Sequence, residues 1–310
     1  MKILCARSIK YFKTQTKGAV LITGHSREKD IFTNIIKNKS LLNSYIFSGK
    51  NGIGKKFFAE ELARSALCLE EKAFEDCECS SCTLARQENN PDIRVVDDDT
   101  IKIDRVRDFA ADAHISPYFG KYKFFIINNA HLMTRDAANS FLKTLEEPSP
   151  TTVFILVTHK EASLLPTIKS RCIEVKFGRL KSEELAYILT QKGYEATKAS
   201  SISQVASGSV ETAIYLMEQN AESMEAFQDM TFENTLTSLM KLKNRDEIKN
   251  YVFNLYISIL ESYKTTYDDT LLNFMNDLLL VIKRLEYNIN TEMAKMYLLT
   301  KAEEVLSEKR

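Results

Sequence analysis

Tryptophan is absent from this chain of 310 residues, glycine and proline are scarce, and neither sign of charge prevails. The 42 basic and 42 acidic side chains give a formal net charge of zero. That balance excludes a protein held on DNA or an anionic membrane by bulk charge; a local patch or a partner is needed instead. No window approaches the roughly 18 apolar residues of a membrane-spanning helix. The most apolar stretch, Leu271–Ile282, is interrupted by Asn273, Asn276 and Asp277. The N-terminus has no signal-peptide core. Residues 1–18 carry Lys2, Arg7, Lys10, Lys13 and Lys17 and no acid, a pattern open to three readings: a disordered extension, a start codon placed too early, or a transit peptide. The expected location is cytoplasmic, a compartment in which cysteines are not expected to pair as disulfides.

The few glycines are informative by position. There are 9, where average usage would give about 22. Three of them are Gly49, Gly52 and Gly54, and from Ser209 to Arg310 there is neither glycine nor proline. All five prolines lie between Pro91 and Pro166. This distribution predicts a phosphate-cradling loop near the front and a helical tail. The length suits two or three domains, and 44% hydrophobic with 27% charged residues is ordinary for globular proteins.

Short apolar runs at Ser44–Ser48, Ile93–Val96, Phe124–Ile127 and Val153–Val157 read as buried strands. Helices are expected over 28–42, Lys56–Cys68 and Arg135–Glu147, the last stopped by Pro148. Strands alternating with helices predict a largely parallel sheet covered on both faces. Leu180–Met217 reads as three short helices broken at Gly193 and Gly208. Two helical stripes follow, Ile248/Val252/Leu255/Ile259/Leu260 and Leu271/Met275/Leu278/Leu279/Ile282/Leu285.

Gly49–Lys56, GKNGIGKK, matches the G-x-x-x-x-G-K half of a P-loop and sits between a predicted strand and a predicted helix. Glycines let backbone N–H groups wrap a phosphate at a helix N-terminus, and Lys55 would reach the β/γ-phosphates. The next residue should be the Ser or Thr that binds Mg²⁺, but it is Lys56. The strand KFFII ends in Asn128 and Asn129, where an ATPase carries acids. Asparagine supplies neither an anionic ligand for Mg²⁺ nor a general base for water. Asp136, farther along the next helix, is the alternative acid. Hydrolysis of ATP is therefore not expected, and nucleotide binding stays open.

Cys68, Cys77, Cys79 and Cys82 form C-x8-C-x-C-x2-C. Four thiols so close in a reducing compartment read as a tetrahedral zinc set, with free thiols as the alternative. Glu70, Glu71, Glu75 and Asp76 beside them disfavour a nucleic-acid contact, so a structural staple is expected. Cys5 and Cys172 read as free thiols. His25, His114, His131 and His159 read as scattered surface or capping residues, Asp97–Asp99 as a solvated turn, and Tyr118–Phe119 as an exposed loop or a partner contact.

GKNGIGKK, NNAH at 128–131, LKTLEEP at Leu142–Pro148 and LLPTIKSRC at Leu164–Cys172 together resemble the clamp-loader subunits of bacterial DNA polymerase III, of the AAA+ class. Within that family the chain is most similar to the delta-prime type, whose own ATPase site has decayed. The similarity is dense from about residue 24 to 178 and weak after 220. In the family pattern two residues separate the second and third cysteines, whereas here Glu78 stands alone. The resemblance implies a P-loop AAA+ domain over 19–178 with the cysteine insertion at 68–82, a helical lid over 179–219 and a helical collar over 220–310. It also implies an arginine finger, Arg171, positioned by Ser170 and Cys172 and inserted into the ATP site of a neighbouring motor subunit. Glu211 stands where a sensor arginine is expected, and Thr158 takes the other sensor position. Implied partners are gamma/tau and delta subunits in a hetero-pentameric ring, and through them the sliding clamp and primer–template DNA, with no membrane. No activity is expected from the isolated chain, a component of the DNA-directed DNA polymerase holoenzyme. The alternative is an autonomous ATPase resembling the gamma/tau motor, which calls for Ser or Thr at 56 and acids at 128–129.

Overall fold

Alternation along each strand decides how this chain is layered. In KFFII, Phe124 and Ile126 face one apolar cluster while Phe125 and Ile127 face the other, and all four are fully buried. A strand buried on both faces belongs inside a parallel sheet between helices. The computed structural model describes residues 22–223, 232–285 and 290–308.

The elements run α1 (Ser26–Lys37), β1 (Ser44–Ser48), α2 (Lys55–Ala66), α3 (Ser80–Arg86), β2 (Ile93–Val96), α4 (Ile103–Ala113), β3 (Lys123–Ile127), α5 (Arg135–Glu146), β4 (Thr152–Thr158), α6 (Pro166–Lys169) and β5 (Ile173–Lys176). Helices α7 (Ser182–Gln191), α8 (Ala196–Val205), α9 (Val210–Ser223), α10 (Phe232–Lys241), α11 (Arg245–Thr266), α12 (Asp269–Leu285) and α13 (Thr291–Glu308) follow. The sheet has five strands in the order β2-β3-β4-β1-β5, and every pairing is parallel.

On one face, Phe32 of α1 and Phe58 and Leu62 of α2 close over Tyr45, Phe47, Phe124 and Ile155. Phe47, Phe58 and Phe177 form an aromatic knot with ring centroids 4.9 to 5.9 Å apart. On the other face, Val106 and Phe109 of α4 and Ala137, Phe141 and Leu145 of α5 cover Phe125, Phe154 and Leu156. Phe141 meets Phe154 edge to face at 5.1 Å, the geometry the ring quadrupoles favour.

The chain separates into two compact units at Ala213/Ile214. In the first, α7 and α8 pack on one another after the sheet. In the second, α12 packs on α11 and α13, and α10 packs on α13. Ile248, Val252, Ile259 and Leu260 on α11 are buried, as are Leu271, Met275, Leu278, Ile282 and Leu285 on α12. Leu279 of the expected stripe is instead 37% exposed.

Several boundaries differ from the sequence reading. Helix α1 ends at Lys37 rather than 42, because Asn38 caps it and Lys39 turns the chain at a φ of 54°. Leu41 then packs on the first cluster from a loop. Elements not anticipated include α3, which begins within the cysteine segment and runs past it; α4, whose Val106, Phe109 and Ala113 face the core; the one-turn α6, where a loop was expected; and the edge strand β5. Residues 1–21, including Cys5 and the whole basic N-terminal stretch, lie outside the described residues. Among the described residues no helix is long and apolar enough to cross a membrane.

Candidate functional site

The loop between β1 and α2 has the geometry its glycines foretell. A Cβ on Gly49 would stand 2.5 Å from the Phe177 carbonyl oxygen, at a φ of 144°. A Cβ on Gly52 would stand 2.3 Å from Ser209 Oγ and 2.7 Å from Glu211 Cβ, at a φ of 73°. Glycine is therefore required at both positions, by backbone conformation and by close approach. Gly54, also at positive φ, caps α2 and aims its first N–H groups into the loop. His25 Nε2 shares a 2.8 Å hydrogen bond with the Ile53 carbonyl from outside.

Lys55 is 5% exposed and folds back into the loop, donating to the carbonyls of Gly49 at 2.8 Å and Lys50 at 2.5 Å. Burial depresses its pKa to about 8, and the nearby Glu211 carboxylate offsets only part of that. Helix α9 begins against the same loop: Val210 N–H donates to the Gly52 carbonyl at 2.8 Å, and Asn51 Nδ2 donates to Glu211 Oε2 at 2.7 Å. Ser209 caps α9 by accepting from Thr212 N–H. An acid in the first turn of a helix is favourable, and here it lies against Asn51 and Gly52 of the glycine loop. Glu211→Ala should release this clasp and lower Tm by about 2–4 °C, the effect of losing roughly 1 kcal/mol. Thermal unfolding checks it.

Beside the glycine loop, Lys56 supplies an internal cation. Lys56 Nζ donates to Asp97 Oδ2 at 2.6 Å, and Asn128 Nδ2 donates to Asp97 Oδ1 at 2.7 Å. Burial alone would raise the Asp97 pKa; the hydrogen bonds from Lys56 and Asn128, with the Lys56 charge, outweigh it and hold it below the usual range. Asp97 is thus engaged at the end of β2 rather than part of a free solvated turn, and Asp98 pairs with Arg105 at 3.3 Å. Asn129 sits at a φ of 50° just beyond β3, opening the short turn Ala130–Leu132. Asp136 lies in the first turn of α5.

Thr158, buried at the end of β4, shares a 3.1 Å hydrogen bond with His131 Nδ1 and accepts from Lys160 N–H. His131 meets His159 edge to face at 4.3 Å, so these two histidines are a pair and not scattered. Burial pushes His159 down to about 4, and His131, Lys160 and Lys55 add to the shift. The missed signal was topological: 131 and 159 follow the ends of neighbouring strands β3 and β4.

Arg171 follows α6 at the surface, its side chain 32% exposed, and pairs with Glu146 at 2.5 Å. Its Nη1 also donates to the Thr167 carbonyl at 2.8 Å and to Ser170 Oγ at 3.2 Å. Cys172 packs against the core, where burial pushes its thiol up to about 12. SRC therefore presents one charged tip beside a half-buried cysteine.

The four thiols of the insertion converge. The Sγ atoms of Cys68, Cys77, Cys79 and Cys82 all lie within 4.8 Å of one another, with three of the residues buried. A zinc ion with bonds of about 2.3 Å implies sulfur–sulfur edges of about 3.8 Å, so the set fits tetrahedral zinc despite the single residue between Cys77 and Cys79. Arg64, 2% exposed, donates to Cys82 Sγ at 3.3 Å and to the Glu75 carbonyl at 3.1 Å, while Glu61 balances it at 2.9 Å. A buried guanidinium aimed at sulfur suits thiolates better than thiols.

Comparison with known proteins adds the lineage. The delta' subunit of DNA polymerase III from Pseudomonas aeruginosa is 38% identical over 137 residues, 43% of this chain and 42% of that one. The delta' subunit from Bacillus subtilis is 37% identical over 162 residues, 51% of this chain and 49% of that one. The tau/gamma subunit from Haemophilus influenzae is 30% identical over 206 residues, 64% of this chain and 30% of that one. In each case the aligned stretch spans less than half of the relative's length. Residues 24–181, just over half of the chain, match the family described as DNA polymerase III, delta subunit, and the chain belongs to that family.

Proposed function

We propose that this chain is a delta'-type subunit of a clamp loader: an AAA+ fold that does not hydrolyse ATP itself and serves as a stator for a neighbour that does. The observation that carries this reading is the ammonium of Lys56, which donates to Asp97 alongside the Asn128 amide, where a P-loop ATPase places a hydroxyl, an acid and Mg²⁺. A metal ion there would meet a fixed positive charge. Lys55 bound to loop carbonyls and Glu211 beside it argue in the same direction against a triphosphate.

In this reading the fold at 19–178 presents Arg171 to the ATP site of an adjoining gamma/tau-type subunit. The lid at 179–219 closes over the altered loop. The helices at 220–310 join equivalent helices in a ring with gamma/tau and delta subunits. That ring would open and place the sliding clamp at primer–template DNA during replication. Cys68, Cys77, Cys79 and Cys82 would hold one zinc ion, which supplies a fixed cross-link and no chemistry of its own.

The test is turnover. Purified alone, the chain should hydrolyse no ATP, with or without primed DNA; mixed with gamma-type and delta subunits, it should raise theirs. DNA-stimulated hydrolysis by the isolated chain would overturn the stator reading in favour of a gamma/tau-like motor.

A further inference from the structure

Two sequence signatures, LKTLEEP and SRC, meet at a single ion pair. Glu146, the last residue of α5, accepts from Arg171 Nη2 at 2.5 Å. Arg171 Nη1 reaches the Thr167 carbonyl and Ser170 Oγ, and Ser170 Oγ in turn donates to the Thr167 carbonyl at 3.0 Å. The backbone beneath both partners is fixed: Leu145, beside Glu146, is 5% exposed, and Ile168 of α6 is fully buried in the same cluster. Among the described residues nothing accepts from Arg171 Nε, so that edge of the guanidinium remains available to an incoming oxyanion.

A free arginine samples many rotamers, and a finger that must meet a phosphate in one of them loses that freedom on docking. Here the acceptors restrict it beforehand. The pair is also partly exposed, with side chains 32% and 49% accessible, so solvent screens it. Screening leaves most of the positive charge for a phosphate to feel.

We propose that Glu146 is the positioning residue of the Arg171 finger, holding the guanidinium in the orientation from which its outer edge meets the neighbouring subunit's phosphate. The proposal rests on the finger role of Arg171 given above, and it assigns the LKTLEEP motif a function.

The test is a double-mutant cycle in the complex reconstituted with gamma-type and delta subunits, using Glu146→Gln, Arg171→Ala and the pair together. Glu146→Gln keeps the shape of the side chain and should lower kcat for ATP about three- to tenfold at unchanged KM, the size expected when one long side chain loses its preorganisation. In the Arg171→Ala background it should add nothing. A wild-type rate for Glu146→Gln while Arg171→Ala is impaired would overturn the positioning role and leave the finger standing. An equal loss in both backgrounds would also overturn it, since Glu146 would then support the fold rather than the finger. A wild-type rate for Arg171→Ala would remove the finger and the positioning role with it.

Discussion

Replacing Arg171 by alanine should lower ATP turnover at the neighbouring site by roughly 10³-fold, the lower end of what arginine fingers supply in other P-loop systems. The mechanism is electrostatic. A planar, permanently charged guanidinium placed at the transferring phosphoryl group stabilises charge that develops only in the transition state, so kcat falls and KM for ATP changes little. Arg171→Lys should recover only part of the rate, because an ammonium keeps the charge but not the two-pronged geometry. The side chain is on the surface and makes one screened ion pair, so neither variant should disturb folding. Gel filtration of the reconstituted complex separates lost catalysis from lost assembly. An assembled complex with unchanged single-turnover rate would remove Arg171 from the mechanism.

The second large effect should come from the cysteines. Elemental analysis of the purified chain should find one zinc per molecule, and Cys82→Ser should abolish it. Cys82 is fully buried and receives the Arg64 hydrogen bond, so serine there leaves a three-thiolate set beside a buried guanidinium. Apparent zinc-binding energies of about 10–16 kcal/mol in small zinc modules rival the whole stability of a typical domain. Loss of the ion should therefore unfold the segment 68–86 outright and lower the first thermal transition by roughly 10 °C. A strong chelator should reproduce that shift in the wild type. Cys172→Ser, at a half-buried thiol outside the cluster, should leave metal content unchanged. Zinc content near zero, with a thermal transition indifferent to chelator, would exclude the staple.

What could be read from the amino-acid order follows from how locally each feature is encoded. Strands β1, β3 and β4 were legible because each is a short, nearly all-apolar run inside the sheet, and burial on both faces requires that composition; β2 was legible from its apolar run although it lies at the opposite edge with Val95 37% exposed. Strand β5 was not: IEVK is half polar, lies at the sheet edge and leaves Ile173 51% exposed, so it carries no such signature. The phosphate loop was recognisable because glycine spacing and the flanking elements are contiguous in sequence. Its altered chemistry was only partly so. Lys56, Asn128 and Asn129 stood out as departures, yet the Asp97 that completes the corner sits on a different strand and read as a solvated turn. The same limit hid the His131–His159 pair and the meeting of Glu146 with Arg171, which only the packed sheet brings together. The cysteine cluster went the other way: an unfamiliar spacing cast doubt on a geometry that α3 restores by delivering Cys82 from its first turn.

Helix α2 opens at the phosphate loop with Lys55 and, nine residues on, sends Arg64 into the cysteine cluster. At 1.5 Å per residue these contacts lie about 14 Å apart on one rigid rod. Both ends of the rod are thus anchored, one in loop carbonyls and the other in sulfur. On the stator reading proposed above, a rod pinned at each end would suit a subunit that stays still while its neighbours move, with the cysteine cluster as ballast for the glycine-loop end of the fold.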